Sequence, residues 1–479
     1  MEIISPTFEW STIGSMIIIV CTGLLVLFMA FVVKSVRFNL MLTIAGVLLT
    51  LIYTLSQLGI NKTGFSGMIV VNDFTTVVNS IILLSALLTL FLSREALMER
   101  RPVKGEFLSL ICFATFGMMV MVSAGDLMMI FLGVETLSIA LYILAGTKRN
   151  DEFSLESAFK YFLVGAFASG FLLFGMAYIY GATGSTNLES IFSFLRGGAG
   201  ESNAFILVGA AFLIIGLGFK IALVPFHMWT PDVYQGAPTP ISAFMSTGVK
   251  TAGFGVMLRV FIYATGTYFA EWQNVLWLLA VLTMTVGNII ALVQENIKRM
   301  LAYSSISHAG YILIGFIAGT DEAISSVIYY LFAYTFMNIG AFGIVSYFES
   351  KDTSLTTIKS YSGMGFKRPY PAIAMMIFMF ALAGIPPSAG FFAKFNVFRA
   401  AVDTGFIWLA VIGALNAVVS VYYYIRVVMN LYMREPETDF SAFKTKGYHS
   451  VALFISVVGI LALGLVPSFF YNFVTVSLF

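Results

Sequence analysis

Five ionisable residues stand inside stretches that otherwise read as lipid-embedded helix: Glu135, Lys160, Lys220, Lys250 and Lys394. A charge at the bilayer centre costs about 2.5–3.5 kcal/mol on insertion scales, so such residues face a polar interior and carry a task. Burial favours the neutral form of a lysine, and a nearby carboxylate favours the charged form. A buried amine whose carboxylate neighbour comes and goes can therefore load and release a proton. Both charge signs are present, so the chemistry that this set suggests is proton translocation.

The positions differ in depth. Glu135 is near the middle of its run, about 15 Å from either end at 1.5 Å per residue, too far to reach water. Its alternative role is a protonated, hydrogen-bonded carboxyl used for helix packing. Lys250 is similarly central in S-A-F-M-S-T-G-V-K-T-A-G-F-G, where small residues allow close helix approach. Lys160 is only about 6–8 Å into its run and could snorkel to the membrane surface. His308, in A-Y-S-S-I-S-H-A-G-Y, could extend a proton path among hydroxyls or be a satisfied core histidine. His227 and His449 read as interfacial. Three scattered histidines and two distant cysteines, Cys21 and Cys112, make no metal site. There is no G-x-G-x-x-G after a strand and no Walker motif, hence no nucleotide site. No cofactor motif for electron transfer is present either.

The elements that must hold these residues are membrane helices. The 479 residues are 59% hydrophobic and 10% charged, where a soluble domain carries about 25% charge. Apolar runs near 20 residues recur from Ile13 to Val474, each long enough to cross a hydrocarbon core of roughly 30 Å. The expected fold is an all-α polytopic membrane protein with about 14 spans. The first run follows Glu2 and Glu9 with no basic flank, and reads as a retained span rather than a signal peptide. A net charge of +2 gives no reason to expect nucleic acid as a partner.

Loop charges set the orientation. Of 26 Lys and Arg, 17 fall in loops opposite the termini (Lys34, Arg37, Arg94, Arg100, Arg101, Lys104, Lys148, Arg149, Lys298, Arg299, Lys351, Lys359, Lys367, Arg368, Arg434, Lys444 and Lys446) and 3 (Lys62, Arg196, Arg399) in loops beside them. The other six, Arg259 and Arg426 among them, lie in spans. Cytoplasmic loops carry the Lys/Arg excess, so both termini should face away from the cytoplasm, toward the periplasm or its equivalent.

Two spans are interrupted by proline. The seventh reads G-L-G-F-K-I-A-L-V-P-F-H, with Pro225 near its end; the twelfth reads A-L-A-G-I-P-P-S-A-G-F-F-A-K-F, with Pro386 and Pro387 in its middle. Proline removes a backbone donor, and in lipid the freed carbonyls need protein or cavity water. A matched pair of broken spans points to inverted repeats. Spans 4–8 and 9–13 form two units of five, the broken helix fourth in each, and each broken helix carries a lysine, Lys220 or Lys394. The expected organisation is a three-span region at 1–105, repeats at 106–263 and 273–432, and a last span within 450–479. Simple packing kinks are the alternative for either break.

Four long stretches carry a resemblance. They are G-D-L-M-M-I-F-L-G-V-E-T-L-S, then F-K-I-A-L-V-P-F-H-M-W-T-P-D-V-Y-Q-G-A-P-T-P-I-S-A-F-M-S-T-G-V-K, then Q-E-N-I-K-R-M-L-A-Y-S-S-I-S-H-A-G, and A-G-I-P-P-S-A-G-F-F-A-K-F. Together they resemble the antiporter-like membrane subunits of complex I, the proton-pumping NADH:quinone oxidoreductase. I-P-P-S-A-G-F followed by a lysine is most similar to the subunit N branch. The resemblance implies Glu135 and Lys220 as an input pair, Lys250 as central relay, Lys394 as output lysine and Lys160 as a further family lysine. It also implies that flavin, iron–sulfur clusters and quinone belong to other subunits, with no cofactor in this chain. The implied partners are other membrane subunits, including a neighbouring antiporter-like one, with the bilayer, protons and internal water. Two alternatives share the sequence core: an Mrp-type cation/proton antiporter subunit and a ferredoxin- or hydrogenase-linked pump.

Overall fold

The computed structural model describes residues 9–99, 105–197, 204–349, 355–436, 438, 440 and 447–475. Arg100, Arg101, Lys104, Lys351, Lys444 and Lys446, counted above as loop cations, lie outside the described residues, as do both chain ends.

Backbone polar groups in lipid must be satisfied within the segment, which leaves helices as the building material here. The first region holds α1 (Gly14–Val32), α2 (Val36–Leu55) and α3 (Asp73–Glu99). A short hairpin of β1 (Lys62–Gly64) and β2 (Ile69–Val71) joins α2 to α3. It is the only sheet among the described residues. Next come α4 (Gly105–Ser123), α5 (Leu127–Ala145), α6 (Glu152–Thr183), the surface helix α7 (Leu188–Arg196) and α8 (Ala204–Ile221). Short α9 (Thr230–Gly236) leads into α10 (Thr239–Phe244) and α11 (Lys250–Met257). π-Helical Met245–Val249 joins the last two, and π-helical Leu258–Ala264 follows them, so Thr239–Ala264 is one continuous span.

The chain continues through α12 (Phe269–Leu292), α13 (Ile297–Ala318), α14 (Asp321–Glu349), the single turn α15 (Met364–Lys367), α16 (Pro369–Ala383), α17 (Ala389–Asp403) and α18 (Ile407–Met433). The chain closes with α19 (Gly447–Leu465) and α20 (Pro467–Val474).

Among the described residues, thirteen helices are long and apolar enough to cross a membrane. The fourteenth expected span is the broken pair α16 and α17. Each has 15 residues, about 22 Å, short of a roughly 30 Å core, so neither crosses alone. The fold is thus the expected polytopic bundle. The sequence reading placed the first break at Pro225; the helix ends four residues earlier, at Ile221, where Ala222 takes a left-handed φ of 63°.

Packing puts the chemistry-bearing helices inside. The apolar windows of Thr239–Ala264, α13 and α14 are 100%, 94% and 94% buried, against 33% for α1, α2, α6 and α18, which face outward. Close approach is built in where Glu135 is held. A Cβ on Gly117 of α4 would lie 2.6 Å from the Leu137 backbone nitrogen, and one on Gly133 of α5 2.7 Å from that of Met121. Small residues at such crossings let backbones touch, the packing that works in lipid. Helix starts are capped by side chains: Asp126 accepts from Met128 N, Asp151 from Phe153 N, and Asn296 from both Lys298 N and Arg299 N.

Candidate proton-translocation site

The two broken helices dispose of their freed carbonyls differently. At the first break, the Trp229 indole donates to Phe219 O (3.1 Å) and the Thr283 hydroxyl accepts from Val224 N (3.0 Å). At the second, the Lys394 ammonium donates to Leu382 O (3.1 Å) and Ala383 O (2.8 Å). Gly384, with φ +87°, turns the chain there, and a Cβ on it would meet the Lys394 Cδ at 3.0 Å. Lys394 therefore lies across the break, 5% exposed, with its ammonium 4.9 Å from the Tyr311 ring centre.

Lys220 does not reach unwound backbone. Its ammonium donates to the Ser138 hydroxyl at 2.6 Å and sits among the rings of Phe219, Tyr161 and Tyr142 at 5.3, 5.7 and 5.8 Å. Aromatic faces stabilise a cation that water cannot reach. Ser138 is three residues past Glu135 on α5, so one helical turn separates the two groups. Glu135 itself is half-buried and accepts a hydrogen bond from the Ser169 hydroxyl of α6. No ion pair closes between Glu135 and Lys220 in this arrangement; Ser138 stands between them.

Lys250, 2% exposed, donates to the carbonyl of Ser305 and, at 2.8 Å, to its hydroxyl. Ser305, His308 and Tyr311 follow at intervals of three on α13, on successive turns. Lys250 meets the first of them and Lys394 the last. His308 between them is fully enclosed: Nδ1 is 2.7 Å from the Tyr330 hydroxyl and Nε2 3.1 Å from that of Tyr424. Tyr424 also bonds Ser304 at 2.5 Å. The ring is thus hydrogen-bonded at both nitrogens by groups that can exchange protons. α13 brings Lys250, His308 and Lys394 into one line, while among the described residues no hydrogen bond joins that line to Lys220.

Lys160 lies apart from these. Its side chain is 41% exposed and pairs with Glu156 (2.6 Å) and Asp232 (2.7 Å). Asp232, in the first turn of α9, also accepts from Arg299 at 2.6 Å. Burial alone would raise the Asp232 carboxyl; the hydrogen bonds from Lys160 and Arg299 outweigh it and hold the group below its ordinary value. At the far end of α9, Lys298 donates to Ala237 O at 2.9 Å. Glu349 there takes Lys148 at 2.8 Å and Lys298 at 3.5 Å, and a hydrogen bond from the Thr239 hydroxyl. The short helix after the first break is therefore fastened at both ends to the start of α13.

Sequence reasoning passed over Asp232, Lys298 and Glu349. Asp232 had a signal, Thr-Pro-Asp being a helix-start pattern. Lys298 was counted as a loop cation and is 1% exposed inside α13. His227 and His449, expected at interfaces, are 6% and 1% exposed; His449 bonds Gly343 O at 2.7 Å, so packing and not the water boundary sets its place. Among the described residues no cluster of His, Cys, Asp or Glu is arranged to hold a metal.

Comparison with known proteins agrees with this architecture. The family described as NADH:quinone oxidoreductase/Mrp antiporter, TM, matches residues 124–420. NADH-quinone oxidoreductase subunit N of Trichlorobacter lovleyi is 49% identical over 87% of this chain and 85% of its own. Subunit N 1 of Herpetosiphon aurantiacus is 41% identical over 98% and 97%. A chain of respiratory complex I from Thermus thermophilus superposes with a TM-score of 0.82 at 32% identity, covering 97% of this chain and all of that one. The Mrp complex of Dietzia shares the fold alone, with a TM-score of 0.83 at 20% identity over 98% of this chain and 97% of that one. A chain matched along nearly its whole length by subunit N relatives belongs to the subunit N family of NADH-quinone oxidoreductase, the antiporter-like membrane subunits of a proton-pumping translocase.

Proposed function

We propose that this chain moves protons through Glu135, Lys220, Lys250, His308 and Lys394, driven by quinone reduction in other subunits of its complex. The observation that supports the reading most is the seating of Lys250 and Lys394 on Ser305 and Tyr311, with a doubly hydrogen-bonded His308 on the turn between them. Glu135 and Lys220 form the input, separated by Ser138. A carboxylate moving toward Lys220 would favour its charged form, and moving away would favour release to the next group. Lys160, more exposed, serves the cytoplasmic side, where it is held by Asp232. Flavin, iron–sulfur clusters and quinone belong to partner subunits in this reading, and an adjacent antiporter-like subunit supplies the moving charge. The half-buried position of Glu135 suits a signal that arrives across a subunit contact.

Glu135 tests the input. Glu135→Gln keeps size and hydrogen bonding to Ser169 but removes the charge, and should lower coupled pumping by about tenfold, the scale of about 1.4 kcal/mol of lost charge interaction. Glu135→Asp should retain more activity than Glu135→Gln in membrane vesicles. Equal pumping by Glu135→Gln and the wild type would assign the carboxyl to packing instead.

Orientation follows from the loop charges: both termini periplasmic in the bacterial cytoplasmic membrane. Single cysteines at positions 2 and 479 should react with a membrane-impermeant maleimide from the periplasmic side. Labelling from the cytoplasmic side alone would overturn this orientation and the span count behind it.

A further inference from the structure

We propose that a cavity lined by the buried Arg259, on the face formed by the α2–α3, α4–α5 and α6–α8 connections, binds an anion of the phosphate class. Arg259 is 6% exposed and lies in the π-helical segment Leu258–Ala264. Nη1 donates to Val122 O at 3.1 Å, and Nε, also buried, has no partner. No carboxylate approaches the guanidinium within 4 Å among the described residues. A guanidinium has five N–H donors and is always charged, and a buried charge without a partner is costly. The side chain lines a cavity of about 900 Å³, a volume that suits a small-molecule ligand better than a few waters.

The polar part of the lining, which stands beside apolar Val70, Leu188, Phe192 and Ile262, fits an anion. Asn61, Ser66, Asn187 and Ser190 contribute neutral polar side chains. Asn187 is the N-cap of the nine-residue α7, whose first turn forms one wall. A helix start carries partial positive charge and attracts anions. The one lining carboxylate, Glu189, is exposed and accepts a hydrogen bond from Tyr263, whereas Arg259 is buried. Guanidinium matches phosphate oxygens in a bidentate fork. π-Helical turns are rare and concentrate at functional sites, and this one sets Arg259 at the cavity.

Two sources share that chemistry, a lipid headgroup and free phosphate. The test uses the purified complex, delipidated in detergent. One arm measures radiolabelled orthophosphate by equilibrium dialysis. The other reconstitutes the complex in nanodiscs of phosphatidylglycerol or of a phosphate-free galactolipid and counts lipid retained through washing. Wild type should bind in one arm, which identifies the source. Arg259→Met should reduce that binding at least about tenfold, as loss of a hydrogen-bonded charge does, and Arg259→Lys should reduce it less. Should Arg259→Met fail to assemble, Asn61→Asp adds a negative charge at the lining without touching the buried cation, and should also weaken binding. Equal binding by wild type and these variants in both arms, including none at all, overturns the proposal. Assembly lost in Arg259→Met with no phosphate bound by wild type would point to a partner subunit's carboxylate and overturn it equally.

Discussion

Lys250→Met complexes should assemble in full and pump protons at least about tenfold more slowly than wild type, a conservative figure beside the roughly hundredfold or more that a positioned proton-transfer group contributes. Methionine matches the length of the lysine stem and needs no counter-charge. It leaves the Ser305 carbonyl inside a helix where its backbone partner remains, and removes an amine whose burial is itself unfavourable. Stability should therefore be kept or raised while function falls, which separates a relay from a structural cation. Lys250→Arg should be nearly as defective, because a guanidinium keeps its proton under all physiological conditions. Proton uptake by inverted vesicles, set against complex content on native gels, reads both properties. Normal pumping by an assembled Lys250→Met complex would remove Lys250 from the path and with it the link between the input pair and α13.

Much of this arrangement was legible in the residues. Charge inside an apolar run is costly enough to mark Lys220, Lys250 and Lys394, and all three are buried. Proline marked both broken helices, because its missing donor acts locally whatever surrounds it. What could not be read were pairings across the chain. Lys220 and Lys394 look equivalent along the sequence, each beside a proline break. Only the fold gives Lys394 the break carbonyls and gives Lys220 a serine 82 residues away. The tyrosines around His308 come from α14 and α18 and carry no local signal, since a tyrosine in an apolar run reads as packing material. Asp232 and Glu349 escaped for the opposite reason. They stand at helix ends, where a charge costs little, so nothing but their neighbours Lys160, Arg299, Lys148 and Lys298 distinguishes them from solvated residues. Arg259 was visible as a cation in a span, but its lack of a counter-charge is a property of the packing.

Transport should be of protons only, with no sodium dependence, and Lys394 is where this can be decided. Sodium, like other hard cations, is held by carbonyl and carboxylate oxygens. The freed carbonyls at the second break, Leu382 O and Ala383 O, are the natural ligands there, and the Lys394 ammonium already occupies both. A positive neighbour approaching that ammonium favours loss of its proton, and no metal ion need enter. Lys394→Arg keeps the positive charge and the donors to both carbonyls, but it cannot release a proton, so pumping should fall by about tenfold or more with the complex intact. Lys394→Glu should be worse. It sets a carboxylate against two carbonyl oxygens, inverts the charge that the mechanism moves, and leaves an oxygen cluster suited to a cation. Proton and radiolabelled sodium fluxes measured on the same proteoliposomes distinguish the outcomes. Wild type should show redox-driven proton movement that is the same with and without sodium, and any sodium response should appear only in Lys394→Glu. Sodium-stimulated transport by the wild-type chain without its redox partners would sink the proton-only mechanism and place this chain functionally with the cation/proton antiporters whose fold it shares.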